Sequence, residues 1–188
     1  MLNPDGSNLF YGSKTGFNQY FRKFWANAFN FTDLCIGRFI DSLRQMPLWN
    51  NLLVVVLPDH GYRYQDINES SRLYNHVPLL WTGGAVRVPR HVTPVCNQSD
   101  LAATLLAQLG LDHGDFAFSR DVLSANYSRP LAWHTFNNGY TVFDSTAFAA
   151  FDLEANRLIA AEGDHTDSLL RIGQALLQLT SHSLKGHE

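Results

Sequence analysis

Asp59 and His60, followed by Gly61, are the residues whose chemistry most needs explaining. They sit in "VVVLPDHGYRY" (residues 54–64), where an apolar run stops at Pro58 and presents an oxygen donor and a nitrogen donor side by side. Neither side chain is easily buried without a partner. Together they are natural ligands for a divalent metal. In open α/β sheets, ligands collect where strands end at their carboxyl side, and Asp59 and His60 follow the apolar run directly. Neighbouring side chains on a regular strand point to opposite faces, so a turn is needed to aim both at one point, and Gly61 supplies the backbone freedom for it. The plainer alternative is that Asp59 caps a turn and His60 is an ordinary histidine, because a three-residue match is weak by itself.

The elements around this tripeptide form a pattern. In "GFNQYFRKFWANAFNFTDLCIGRFIDSLRQM", Phe17, Phe21, Phe24, Ala28, Phe31, Cys35, Phe39 and Leu43 recur three or four apart, which predicts one long helix or two joined end to end, ended by Pro47. "LLVVVL" then reads as a strand buried on both faces, of the kind found in parallel sheets covered by helices. A polar and aromatic loop, "YRYQDINESSRLYN", follows, of a length that often carries function. A second short strand spans residues 79–82, preceded by His76 and closed by Gly83 and Gly84. In "NQSDLAATLLAQLG", Asn97 or Ser99 can cap a helix that Gly110 ends, with Leu101, Leu105 and Leu109 as its apolar stripe. Strand, loop, strand and helix make an α/β core.

Beyond Pro130 the pattern changes. Two apolar runs flank Asn138-Gly139, a strong hairpin signal, and a further strand, "RLIAA", follows. The last element is an amphipathic helix with Leu169, Ile172, Leu176 and Leu179 on one side. The expected organisation is an N-terminal loop over residues 1–16, the α/β region over 17–129, and a hairpin and helix subdomain over 130–188.

Composition narrows the function classes. The chain has 188 residues, 45% of them hydrophobic and 13% aromatic, enough for a substantial core. Charged residues are only 16% and the net charge is −3, which argues against electrostatic binding to nucleic acid. Low charge and 13 Phe also suggest a face that rests on something else, and hence self-association. "LLVVVLP" is far shorter than the roughly 20 residues of a membrane span. "MLNPDGSNLFYGSKTG" lacks the basic and apolar halves of a signal peptide, so any export signal is expected upstream of it. Cys35 and Cys96 read as packing residues rather than a zinc motif.

"LWNNLLVVVLPDHGYRY", "YNHVPLLWTGG" and "CNQSDLAATLLAQLGL", in that order, resemble the C-terminal half of the catalytic domain of the alkaline phosphatase and sulfatase superfamily. The resemblance is greatest to the lipoteichoic acid synthase and phosphoglycerol transferase branch. "FNFTDLCIGRFIDSLRQMPLWNN" and "WHTFNNGYTVFD" are similar to that branch's preceding helix and C-terminal hairpin, so the likeness runs from about residue 17 to about residue 180. It implies an alkaline-phosphatase-like α/β sheet flanked by helices, incomplete here, with a C-terminal antiparallel hairpin region.

The resemblance further implies that Asp59 and His60 bind a catalytic manganese or zinc ion, and that His76 binds the substrate's phosphate or sulfate or a second metal. His91, His113, His134, His165, His182 and His187 match no motif. Family members attack phosphorus or sulfur with a Thr, Ser or modified Cys nucleophile that lies, with an acidic metal ligand, upstream of the D-H-G strand. Here Ser13 and Thr15 fall in the expected N-terminal loop, and Thr32 and Ser42 in helix. The chain is therefore expected to contain no catalytic nucleophile and to be inactive without the N-terminal half of the domain. The parent enzyme, a hydrolase if water resolves the covalent intermediate and a phosphoglycerol- or phosphoethanolamine-type transferase if an acceptor alcohol does, would act on a phosphate- or sulfate-ester substrate, lipid-linked in the transferase branch, at the extracytoplasmic face of the membrane. The contrasting readings are a non-catalytic metal- or anion-binding module and a purely structural domain.

Overall fold

The computed structural model describes residues 13–63 and 67–185. It divides into two compact units, Met1–Val56 with Leu80–Pro89, and Leu57–Leu79 with Arg90–Glu188. Expectations for residues 1–12 lie outside the described residues.

The first unit is built on one continuous helix, α1 (Ser13–Arg44), which starts before Phe17 and takes Ser13 and Thr15 out of the expected loop. Pro47 opens a short 3-10 turn (Pro47–Asn51), and the Arg44 guanidinium lies 5.8 Å over the Trp49 ring. The stripe read as core-facing is exposed at Phe24, Phe31, Cys35 and Phe39, whereas Ile36, Ile40 and Leu43 are partly buried. Periodicity identifies an apolar face but not what covers it. Cys35 is accordingly not a packing residue.

Strands β1 (Val54–Val56) and β2 (Leu80–Thr82) pair antiparallel, with Val55 opposite Trp81. The expected parallel, doubly buried strand is thus corrected: β1 is partly buried and its neighbour runs the other way. An apolar run reports burial, not the direction of its neighbour. Gly83, with φ +113°, turns the chain after β2 so tightly that a Cβ would fall 2.2 Å from the Leu52 carbonyl oxygen.

The second unit contains a four-stranded antiparallel meander: β3 (Ala132–Phe136), β4 (Gly139–Phe143), β5 (Phe148–Asp152) and β6 (Arg157–Glu162). Phe136 pairs with Gly139, so the two turn residues are Asn137 and Asn138, and Gly139 already belongs to β4. Asn138 takes the left-handed backbone that such turns require. β4 is buried along its whole length because both faces of the sheet are covered.

On one face lies α4 (Thr166–Lys185), with Tyr140, Val142, Ala149 and Leu169 at the centre of the core. Its buried side is Leu169 and Gly173, flanked by Leu170 and Leu177, while Ile172 and Leu179 of the expected stripe are exposed. Gly173 explains the rotation. A Cβ there would stand 2.4 Å from the Tyr140 ring and 2.5 Å from a Val142 methyl, so the helix sits against the sheet without a side chain between them. Over the opposite face lies α2 (Arg72–Asn75), whose Arg72 guanidinium stacks over Phe143 and Phe148 and donates to the Asp144 carbonyl at 2.8 Å.

Gly173→Ala should lower the stability of this unit by about 1–3 kcal/mol despite alanine's better helix propensity. Gly37→Ala, on α1 where nothing lies within 4 Å of the added carbon, should instead raise helicity. Thermal melts and far-ultraviolet circular dichroism of the two variants check the contrast.

Candidate functional site

Asp59 and His60 lie in the second unit, three and four residues after β1 ends. The His60 N–H donates to Asp59 Oδ1 at 3.0 Å, and His60 Nδ1 lies 2.7 Å from the Gly61 carbonyl oxygen. A carbonyl can only accept, so Nδ1 carries the hydrogen, and the lone pair of the neutral ring is on Nε2. That Nε2 lies 3.6 Å from Asp59 Oδ2. Both side chains are largely exposed, 67% for His60 and 88% for Asp59.

This geometry suits a shared metal. Zinc-type bonds to nitrogen and oxygen of about 2.0–2.2 Å allow two ligands of one ion to stand up to about 4.3 Å apart. A backbone carbonyl fixing the tautomer is a usual second partner of a ligating histidine. Two donors do not complete a centre, however. Among the described residues, no three His, Cys, Asp or Glu side chains converge as a metal site.

The loop is held from two sides. A Cβ on Gly61 would fall 1.8 Å from the Tyr74 carbonyl oxygen, so only glycine allows the chain to lie directly on α2. Tyr74 is buried, its N–H is capped by the Ser71 hydroxyl, and its ring packs 6.2 Å from that of His134. His76 follows as the residue closing α2, exposed at φ −89° and ψ 84°. From the other side, the Gln98 amide donates to the Pro58 carbonyl, next to Asp59.

Gln98 stands at the start of α3 (Asp100–Gln108), which is anchored by a buried carboxylate. Asp100 is 1% exposed and accepts from Arg120 Nη2 at 2.8 Å, Arg120 Nε at 3.1 Å, Arg120 N at 2.9 Å and Asn97 N at 2.8 Å. The bond from Asn97 N ties the carboxylate to the turn that leads into α3. The Asn97 side chain does not cap the helix; its Oδ1 accepts the Trp133 N–H of β3 at 2.7 Å. With Asp100, Ala103 and Thr104 buried, the expected stripe is displaced, and Leu109 is exposed.

Arg120 also donates to the Arg129 and Leu131 carbonyls and lies 5.0 Å over the Tyr127 ring. Burial pushes the Tyr127 phenol up; the Arg120 guanidinium opposes this, the nearby Asp100 charge adds to it, and the group stands at about 12. Burial, with the Asp100 charge, also raises the Cys96 thiol.

Among the histidines without a motif, His165 has a definite role. Its Nε2 lies 2.7 Å from Asp144 Oδ2, joining the start of α4 to the β4–β5 turn. Partial burial works to raise the Asp144 carboxyl, but hydrogen bonds from His165, the Thr146 and Ala147 N–H groups and the Thr146 hydroxyl outweigh it and hold the group at about 2. Gln98, Arg120 and His165 carry no spacing signal of their own. Only "NQSDL" marked the neighbourhood of the first.

The structure is similar to that of a protein in the alkaline phosphatase superfamily from Vibrio parahaemolyticus, with a TM-score of 0.70 and 19% identity, over 86% of this chain and 42% of that one. The chain therefore has a mixed α/β fold similar to that of this protein, and it spans less than half of that protein's length. The sulfatase family model matches residues 5–111, more than half of the sequence and including the D-H-G loop. The chain belongs to the sulfatase family.

Two stability predictions follow from the polar anchors. Asp100→Ala leaves Arg120 without its counter-charge and should cost about 3 kcal/mol, read by urea denaturation. The carboxyl of Asp144 is depressed in the folded state, so its contribution of about 2 kcal/mol is full above the unfolded value near 3.8 and is lost as pH falls through about 2. A denaturation series from pH 5 to pH 2 should show that decline in the wild type and a shallower one in His165→Leu.

Proposed function

We propose that this chain carries half of a divalent-metal centre for phosphate- or sulfate-ester chemistry, in the manner of the lipoteichoic acid synthase and phosphoglycerol transferase branch. The observation that carries this reading is the Asp59–His60 pair, with Asp59 Oδ2 and His60 Nε2 3.6 Å apart and the histidine tautomer set by a backbone carbonyl. Membership of the sulfatase family, which is typically metal-dependent, supports it.

Asp59 Oδ2 and His60 Nε2 would hold manganese or zinc. Such an ion supplies Lewis-acid stabilisation of the negative charge that develops on the ester oxygens. Gly61 and Gln98 keep the loop in place. His76 offers an imidazole to a substrate oxyanion or a second metal. The nucleophile and the remaining ligands would come from a polypeptide corresponding to the part of the fold without a counterpart here. The complete enzyme would work at the extracytoplasmic face of the membrane on a lipid-linked ester. Among the described residues, no helix is long and apolar enough to cross a membrane.

The absence of a third ligand among the described residues also favours a second reading, a non-catalytic metal- or anion-binding module on the same fold. One experiment tests both. Manganese titration followed by electron paramagnetic resonance should reveal one site, with affinity falling about tenfold or more in Asp59→Ala and in His60→Ala. No binding, or binding indifferent to both substitutions, overturns the metal reading. The chain alone should not cleave p-nitrophenyl phosphate or sulfate. Turnover that arises only on addition of the complementary half of a family member's domain favours the enzyme over the module.

A further inference from the structure

The face of the meander under α2 carries two polar atoms that the protein's own groups do not satisfy. His134 Nε2 and Thr141 Oγ1 are buried and have no hydrogen-bond partner among the described residues. They stand side by side. His134 of β3 is the direct antiparallel partner of Thr141 of β4, so both side chains rise from one face with Cβ atoms about 5 Å apart. Tyr140 and Val142 belong to the core under α4, and alternation along β4 turns Thr141 to the other face. The His134 ring lies on that face too, 6.2 Å from the ring of Tyr74 in α2.

The row of the sheet that holds them is otherwise made of small side chains. Thr141 pairs onward with Ala150, and Ala150 with Ala160, whereas the adjacent row on the same face sets Phe143 opposite Phe148 with the Arg72 guanidinium over both rings. Methyl groups beside rings leave a step in the surface beneath the helix. Thr141 and Ala150 are nevertheless 0% exposed and Tyr74 is 7% exposed, so the step is closed to bulk solvent.

We infer that one internal water molecule is held between His134 Nε2 and Thr141 Oγ1 as part of the layer joining α2 to the sheet. Two buried groups left unbonded cost more than the immobilisation of one water. Hydrogen bonds of about 2.8 Å on either side span the distance between directly opposed side chains. Water both donates and accepts, so it serves either tautomer of the imidazole and a hydroxyl free to rotate. Burial alone lowers the His134 pKa, with no neighbouring charge contributing, so the ring is neutral at pH 7 and suits a neutral partner rather than an anion. The site uses none of Asp59, His60 and His76, and it stands or falls independently of metal binding.

Thr141→Val tests the water by the sign of its effect, because it keeps the shape of the side chain and removes only the hydroxyl. Urea denaturation should show the folding equilibrium constant reduced about fivefold. A variant as stable as the wild type, or more stable, overturns the proposal, since exchanging an unbonded buried hydroxyl for a methyl group is favourable. The bridge is tested by a double-mutant cycle: His134→Phe should be at least about threefold more harmful in the wild type than in Thr141→Val. Equal effects in the two backgrounds show that no water is shared. A crystal structure of the full chain should place an ordered water within about 3.2 Å of both atoms. Bonds from both atoms to protein groups instead would overturn the inference.

Discussion

Much of the second unit depends on how one buried carboxylate is satisfied. Asp100 is almost wholly removed from water, where an ionised carboxylate is tolerated only with a counter-charge and donors on both oxygens. Arg120 and two backbone N–H groups provide them. Because the donors come from residues 97 and 120, satisfying this one group fixes the start of α3 against the segment after it. Thr104 and Ser119 repeat the stitch: the Thr104 hydroxyl accepts from Val122 N, and the Ser119 hydroxyl accepts from Ala103 N. The same start of the helix reaches β3 through Asn97 and the D-H-G loop through Gln98.

The loop that carries Asp59 and His60 thus has little regular structure of its own but is closely held. Its shape comes from a backbone contact at Gly61, a side-chain bond at Pro58 and its own Asp59 and His60 hydrogen bonds. Such an arrangement presents two exposed donors from a defined backbone, as a metal site on a loop requires. The layers beneath are joined in a similar way. Arg72 links α2 to the β4–β5 turn, and His165 links the same turn to α4, so Asp144 is a junction of both faces of the sheet.

The first unit makes the opposite use of its apolar residues. α1 places several of its aromatic rings on the surface, and among the described residues β1 and β2 form a two-stranded sheet. Sequence features that usually signal a core are here exposed.

The elements and the family are legible in the residues alone: the α1 periodicity, the β-rich C-terminal region, the final helix, and the ordered D-H-G, H-V-P-L-L and N-Q-S-D-L segments. These are local quantities, set by spacing and by turn residues such as Gly61 and Asn138. Which faces are covered and how strands pair depends instead on long-range packing. The α1 stripe is exposed, the α4 face is rotated onto Gly173, and β1 runs antiparallel to β2. None of these follows from periodicity, because a period defines a face without naming its neighbour, and an apolar strand satisfies its side chains equally well beside either strand direction. The roles of Arg120, Gln98 and His165 were illegible for a related reason: each acts on a group 20, 40 and 21 residues away, respectively, and a hydrogen bond across that distance leaves no trace in local spacing.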